Sequence, residues 1–253
     1  MIARAVRGTG ELLITAGLVV LLFVAYELWG TGVHTARAQN AADNRMTAAW
    51  AAGDVLPGEP DVPDSPVVSA DPTAKPVPGR SSAPAPSAAP SAAADIPLGT
   101  GLARLRIPRF GAGYQWVVGE GVTVANLKNG PGHYPHTALP GQIGNFVVSG
   151  HRTTYGAPFG GVAELQPGDA IVVETAKAWY TYRVRSHDIV SPTRVSVTLP
   201  VPGDPGAEPV EALMTMTTCH PKFSARQRYI VYSALESAIA KSAGVRPPAL
   251  GGG

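Results

Sequence analysis

Val210-Glu-Ala-Leu-Met-Thr-Met-Thr-Thr218 is an apolar and β-branched run that leads directly into the single cysteine of the chain, Cys219. Its composition and length predict a β-strand. Other short runs of the same type, separated by Gly and Pro turns, occupy residues 102–107, 114–118, 145–151, 170–174, 179–185 and 229–232. This pattern predicts an all-β domain, a compact barrel or sandwich, with short helices near 122–127 and 161–165.

The overall composition limits the possible functions. The chain has 253 residues and a formal net charge of only +2, so it lacks the basic surplus of a nucleic-acid-binding protein, and no nucleic-acid partner is predicted. No acidic cluster has the spacing of a calcium site, and neither a metal nor another cofactor is predicted. The 29 glycines and 25 prolines exceed average usage and predict a long stretch that does not fold.

The N-terminus has the pattern of a membrane anchor. Arg4 and Arg7 precede an apolar run that ends at Tyr26, and with its flanks the segment 9–30 is long enough to span a bilayer. Basic residues before such a segment favour a cytoplasmic N-terminus, here residues 1–8, and an exported remainder. The sequence therefore predicts a single-pass protein of the cell membrane with an extracellular domain.

A cleaved signal peptide is the alternative interpretation of this segment. Ala36-Arg37-Ala38 has the small-x-small pattern after which signal peptidase cuts. The apolar run continues through an aromatic end rather than a short polar region, which favours the retained anchor. Both interpretations place the rest of the chain outside the cell.

A linker, one folded domain and a tail follow the anchor. Residues 31–95 are predicted as a disordered linker because their Ala, Pro, Ser, Asp and Gly residues have little to bury. A short helix within 40–53 is compatible with the sequence. The folded domain is predicted at residues 96–240. The tail, residues 241–253, ends in Pro-Pro-Ala-Leu-Gly-Gly-Gly and is predicted to be disordered.

Cys219 is the first candidate for chemistry. A strand end presents a side chain rigidly to a cleft, and the nearby Lys222, Arg226 and Arg228 favour thiolate over thiol if they approach the sulfur. A lone cysteine is also commonly a small buried apolar residue. The polar and basic sequence after Cys219 is unlike a core and favours the nucleophile.

A cysteine nucleophile needs a proton donor for the leaving amine, usually a histidine. His151 ends a predicted strand, so two strand ends can bring it to Cys219, although a plain surface histidine is the commoner case. His220 is an awkward partner because adjacent side chains on a strand point to opposite faces. Arg228 begins the last predicted strand and can reach a developing oxyanion; Arg226 can replace it in this argument.

At this level of detail the sequence resembles the sortase family. One matching stretch is Pro131 to Phe159, with Gly-Asn-Phe-Val-Val-Ser-Gly-His-Arg-Thr-Thr-Tyr-Gly-Ala-Pro-Phe at its end. The other is Thr215 to Val231, with Thr-Met-Thr-Thr-Cys-His-Pro and then Arg-Gln-Arg-Tyr-Ile-Val. The wording is most similar to class E, the housekeeping type of high-GC actinobacteria. Met216 stands where the family usually has Leu, and His220 stands where class E commonly has a small polar residue.

The resemblance implies a fold, a reaction and a site. The fold is the sortase-like eight-stranded β barrel with short helices, after an N-terminal transmembrane helix and a disordered linker. The reaction is cleavage of a Leu-Ala-x-Thr-Gly or Leu-Pro-x-Thr-Gly signal in exported proteins, and transfer to a peptidoglycan amine. Cys219 matches the nucleophile, His151 the general acid/base and Arg228 the oxyanion-stabilising arginine; Thr218 and Tyr155 are weaker candidates for contacting the signal.

Other classes of protein fit the sequence less well. An L,D-transpeptidase expects Ser-His-Gly-Cys, which Thr217-Thr218-Cys219-His220 does not supply. A papain-like endopeptidase has its cysteine before its histidine, the reverse of this chain. A non-catalytic cell-wall binding or assembly module built on the same barrel is the alternative from a different class.

Overall fold

The computed structural model describes residues 2–62, 67–68, 96–97 and 99–251. Helix α1 (Ile2–Ala25) continues through a π-helical turn (Tyr26–Gly30) into helix α2 (Thr31–Ala51). Among the described residues, one stretch is long and apolar enough to cross a membrane, Arg7–Ala25, with a mean hydropathy of 2.0 and none of it buried in the protein. A helix therefore covers the predicted anchor.

Helix α2 corrects the N-terminal part of the predicted linker. Residues 31–51 are helical and lie on the folded domain, and the segment that follows also contacts it. The Gln142 side chain donates to the Gly58 carbonyl at 2.7 Å, and the buried Glu59 accepts a hydrogen bond from the Thr175 hydroxyl. The remainder of the predicted linker, apart from the short strand at 67–68, lies outside the described residues.

A β barrel follows, built from short strands. The strands are β1 (Val67–Val68), β2 (Gly101–Arg106), β3 (Gln115–Glu120), β4 (Gly132–His133), β5 (Gly144–Ser149), β6 (Ala170–Glu174), β7 (Ala178–Val190), β8 (Ala212–His220) and β9 (Gln227–Ala240). Helix α3 (Val124–Leu127) and several 3-10 turns connect them, at Pro108–Phe110, Val162–Glu164, Val195–Thr198, Lys241–Ala243 and Pro248–Leu250.

The strand order is β9-β7-β6-β2-β3-β4-β5-β8, and a β8–β9 pairing closes the ring, while β1 pairs with β9. The eight-stranded barrel predicted from the resemblance is confirmed in the described residues, as are both short helical segments. Strand β5 lies parallel to β8, and five of its six residues are buried, as expected where both faces of a parallel pair are covered. This rigid pair ends at the candidate site.

The barrel interior is apolar and aromatic. Its largest fully buried side chains include Phe146, Phe159, Tyr180 and Tyr182. Removing such side chains from water supplies the main driving force for closing the barrel, at about 25 cal/mol per Å² of apolar surface. The catalytic candidates therefore stand on a well-packed scaffold.

The predicted disordered tail is wrong for residues 241–251. Strand β9 runs to Ala240, and two 3-10 turns follow it. Ala249 and Leu250 pack against a small cluster that contains Trp179, and Lys241 forms a 2.8 Å ion pair with Glu174. A few apolar contacts and one ion pair fix a segment whose composition alone indicates no order.

Candidate active site

Cys219 and Arg228 are direct partners across two antiparallel strands. Strands β8 and β9 pair with Cys219 opposite Arg228. Side chains at directly opposite positions stand on the same face of a sheet, with Cβ atoms about 5 Å apart. The thiol and the guanidinium therefore project into the same space outside the barrel.

His151 reaches the same place from the other side of β8. The parallel register places Ser149 beside Thr217, and beyond it the Gly150 amide donates to the Thr217 carbonyl at 3.1 Å. The Thr218 hydroxyl donates to the Gly150 carbonyl at 2.7 Å, so the two chains remain joined past the end of β5. His151 is two residues beyond Ser149, and Cys219 is two residues beyond Thr217. The histidine and the cysteine therefore leave neighbouring strands at the same level.

The thiol is accessible. Cys219 is half-buried and forms no disulfide, which excludes a sealed interior position. Its neighbour His220 points away from it, as the alternation of strand side chains requires, and lies against the Tyr229 ring at 5.7 Å between centroids.

The His151 side chain is partly buried. Its ring lies 4.9 Å from the Tyr155 ring at an interplanar angle of 38°, and its Nε2 atom is buried without a hydrogen-bond partner among the described residues. Burial lowers the pKa of His151, and the positive charge of Lys128 lowers this pKa further. The neutral imidazole is therefore favoured at neutral pH.

Replacing Lys128 with methionine is expected to raise the pKa of His151 part of the way back to its ordinary value. Burial, the larger cause of the lowered pKa, remains after the substitution, while the repulsion between two positive charges is removed. The measurement is an NMR titration of the imidazole signals, with Cys219→Ala in every sample to avoid coupled titration. Lys128→Arg is the matched control because it keeps the charge. An unchanged or lowered pKa in Lys128→Met would contradict the assigned role of Lys128.

Arg228 is held by its own turn. Its Nη1 atom donates to the carbonyls of Ala225 at 2.9 Å and Gln227 at 3.0 Å. Among the described residues, its Nε and Nη2 atoms have no hydrogen-bond partner, so the three N–H groups on these two atoms remain available to an anion. Arg226, the alternative, is exposed and does not pair with Cys219 across the strands.

The two weaker candidates lie in different environments. Tyr155 stacks on His151 and has a left-handed backbone with φ of 52°. Thr218 is only 2% exposed, and its hydroxyl is used by Gly150. This hydrogen bond joins the ends of β5 and β8, and the Thr218 side chain has almost no exposed surface for a signal peptide to contact.

Sequence reasoning missed Arg152. Arg152 is buried, and its Nη1 atom donates to the Cys219 carbonyl at 3.3 Å and to Nδ1 of His220 at 2.9 Å. Its guanidinium also lies over the Tyr229 ring, 5.3 Å from the centroid. His220, the departure from the class E pattern, therefore belongs to a packed cluster behind the nucleophile.

An open cavity of about 430 Å³ lies between strands β8 and β9 and the loop that carries the 3-10 turn Val195–Thr198. Leu213 and Thr215 of β8 and Tyr232 of β9 line it. Thr215 has the same parity as Thr217 and Cys219, and at about 3.3 Å per residue it lies about 13 Å from the nucleophile along the strand. Between the cavity and Cys219, Thr217 of β8 and its partner Ile230 of β9 are buried, and Ile230 packs with Val190 and Val197.

A thiol, an imidazole and a guanidinium at one edge of a closed β barrel are the side chains that a cysteine acyl transferase requires. The sortase-domain family model matches residues 105–236, slightly more than half of the chain. The chain belongs to the sortase family, whose members are transpeptidases.

The similar proteins include several sortases of class E. Sortase SrtE1 of Streptomyces coelicolor is 33% identical over 97% of this chain, which spans 61% of the length of SrtE1. Sortase SrtE2 of the same organism is 31% identical, over 92% of this chain and 83% of SrtE2. The structure of sortase E from Streptomyces avermitilis is 40% identical with a TM-score of 0.56, over 61% of this chain and 99% of that chain. The predicted resemblance to class E is confirmed.

Proposed function

We propose that this protein is a cysteine transpeptidase that cuts the Thr-Gly bond of a C-terminal sorting signal and joins the exported protein, through the threonine carbonyl, to a peptidoglycan amine. The register of β5, β8 and β9 carries the proposal, since it supports His151, Cys219 and Arg228 at one level of one face. The family supports transpeptidation in general; the three residue roles and the bond cleaved are our assignment.

The first half-reaction forms a thioester. The Cys219 thiolate attacks the threonine carbonyl of the signal, and the negative charge that develops on the oxygen is stabilised by Arg228. The imidazolium of His151 gives its proton to the nitrogen of the departing glycine as the C–N bond breaks. The products are a free amine and an acyl group on the Cys219 sulfur.

The second half-reaction transfers the acyl group. Neutral His151 removes a proton from the incoming amine, whose nitrogen attacks the thioester carbonyl. The C–S bond then breaks and the thiolate is restored. The new amide joins the exported protein to the cell wall.

The lowered pKa of His151 determines how often this residue carries the proton that the first half-reaction needs. The ordinary pKa of histidine is about 6.5, and the pKa of His151 lies below that value because of burial and Lys128. The imidazolium form of His151 is therefore a minority at neutral pH. We infer that the first half-reaction proceeds from this minority form.

We assign Tyr155, which lies against His151, to contacts with the signal. Thr218, the other candidate, is 2% exposed and has little surface to offer. Class E resemblance favours Leu-Ala-x-Thr-Gly over Leu-Pro-x-Thr-Gly. The partners proposed are exported proteins that carry such signals and a precursor or cross-bridge amine of peptidoglycan.

We also propose that the anchor is retained, with the catalytic domain outside the cell. Signal peptidase cleavage after Ala38 would divide helix α2 between Thr35 and Gln39, both of which bind the barrel through hydrogen bonds. An intact helix keeps the enzyme at the membrane surface, where a newly exported signal is still held by its own apolar tail.

The full-length protein in detergent, mixed with a Leu-Ala-x-Thr-Gly peptide, is expected to form an acyl adduct on Cys219 visible in the intact mass. Adding a glycine-based amine is expected to convert the adduct into a ligated peptide, because the amine resolves the thioester. A library that varies the second signal position tests the preference for Ala over Pro.

A peptide with its Thr-Gly bond replaced by a non-cleavable link is the control for simple binding. Recovery of intact cleavable peptide after long incubation, with the thiol confirmed as reduced, would instead support the non-catalytic cell-wall binding module. A library preference for Pro would overturn the signal assignment and leave the chemistry in place.

A further inference from the structure

Helix α2 carries a row of polar side chains along one face. Thr31, Thr35, Gln39, Asp43 and Thr47 recur at every fourth position, so they lie one above another on the helix. Each of these side chains has a hydrogen bond to the domain that follows the linker, and the row begins six residues after the end of α1.

The middle of the row binds the segment that carries Lys128. The Thr35 hydroxyl donates to the Lys128 carbonyl at 2.8 Å, and Thr35 is completely buried. The Gln39 side chain donates to the Asn129 carbonyl at 2.8 Å. It also bridges β3, where it accepts from the Val117 amide at 2.7 Å and donates to the Val117 carbonyl at 3.0 Å. These contacts fix the backbone from which the Lys128 ammonium reaches toward the catalytic end of the barrel.

The start of the row binds the segment that carries Tyr155. The Tyr155 amide donates to the Thr31 hydroxyl at 3.3 Å, and the next residue, Gly156, has φ of 74°. A Cβ atom on Gly156 would lie 2.8 Å from the Trp116 ring and 3.7 Å from the Thr35 methyl group. Tyr155 and Gly156 thus hold an unusual backbone conformation in a narrow space between the helix and β3.

Lys128 and Tyr155 face each other and His151. The Lys128 ammonium lies 5.8 Å from the centre of the Tyr155 ring, and that ring stacks on His151. Two segments that are far apart in sequence therefore meet around the imidazole, and both are bound from behind by one helix.

We propose that helix α2 is a positioning element of the active site, in which Thr31 holds the Tyr155 segment, and Thr35 and Gln39 hold the Lys128 segment, against His151. This inference rests on the proposed function, because it assigns the helix a role in orienting that reaction's proton carrier. Since α1 continues into α2, the six residues from Ala25 to Thr31 rise by only about 9 Å. The membrane anchor is thus joined by continuous helix to the residues that bind the Lys128 and Tyr155 segments.

The test uses full-length protein in lipid nanodiscs and the substitution Thr35→Val, which keeps the shape and removes the hydroxyl. We expect kcat for ligation of a signal peptide to fall about fivefold, the effect of one lost hydrogen bond, with KM unchanged. Hydrogen exchange of the amides in 126–130, the segment that carries Lys128, is expected to rise in the same variant. Thr35→Ser keeps the hydroxyl and is expected to restore both values.

Thr47→Val is the matched control, since it removes a hydroxyl from the same row at the far end, where Thr47 contacts Arg104. It is expected to leave kcat and the exchange of 126–130 at wild-type values. Equal effects of Thr35→Val and Thr47→Val, or unchanged exchange of 126–130 in Thr35→Val, would overturn the proposal. The exchange measurement needs no turnover, so it decides this question even if the wild-type protein fails to ligate the peptide.

Discussion

Replacing Cys219 with alanine is expected to abolish peptide cleavage and ligation, with a loss of at least about 10³-fold. The loss of a covalent nucleophile removes the entire two-step route, and the remaining site can only bind and polarise the substrate. Because Cys219 is the single cysteine of the chain, an acyl adduct that resists neutral hydrolysis and is released by hydroxylamine identifies its position. The measurement is ligation rate together with intact mass.

Folding controls are favourable for this substitution. Cys219 is half-buried and forms no disulfide, so its replacement leaves the barrel core unchanged, and the melting temperature is expected to stay near that of the wild type. Ser224→Ala removes the hydroxyl of a serine in the neighbouring β8–β9 turn and is expected to retain activity. An adduct that persists in Cys219→Ala would place the nucleophile elsewhere and end the proposed mechanism.

The positions of Cys219, His151 and Arg228 could be predicted from the sequence because all three lie close to the ends of strands. Each of β5, β8 and β9 has an apolar or β-branched segment that the sequence displays directly, and Cys219, His151 and Arg228 lie at or just beyond strand ends. Strand alternation places Thr218 on the face opposite Cys219, where it is 2% exposed.

Helix α2 was recognised only in part, as a short helix compatible with residues 40–53, and its docking on the barrel was not predicted. Helices are usually detected through an apolar stripe, whereas α2 binds the barrel mainly through threonine, glutamine and aspartate side chains. Its partners include the backbone carbonyls of Lys128, Asn129 and Val117. These carbonyls lie side by side, ready to accept a hydrogen bond, only when the barrel is closed. A polar row of this kind becomes informative only once the surface that it faces is known.

Arg152 illustrates a second limit. The sequence places an arginine after the candidate histidine, which ordinarily indicates a solvent-exposed residue. In the structure it is 7% exposed because the Cys219 carbonyl, His220 and the Tyr229 ring surround it. These groups belong to β8 and β9, about 70 residues later in the chain. The sequence around Arg152 therefore does not show that this arginine is buried.

Arg228→Lys is expected to reduce kcat/KM by about 10²- to 10³-fold, the range found when one oxyanion donor is removed. The Arg228 Nη1 atom is held by the carbonyls of Ala225 and Gln227, which fixes the plane of the guanidinium and directs its other N–H groups outward. A lysine ammonium in this place must choose between those carbonyls and the oxyanion, because it lacks the planar fork. The measurement is single-turnover formation of the Cys219 adduct, which isolates the step in which the oxyanion forms.

Arg226→Lys is the matched control for this substitution, since Arg226 lies two residues earlier and is exposed. Both variants keep the net charge, so any general electrostatic attraction of the substrate is equal in the two proteins. We expect Arg226→Lys to retain acylation within about twofold, as is usual for exposed residues without fixed partners. Equal losses in both variants would assign the effect to the β8–β9 turn as a whole. The larger loss in Arg226→Lys would transfer the oxyanion role to that residue, against the register that places Arg228 opposite Cys219.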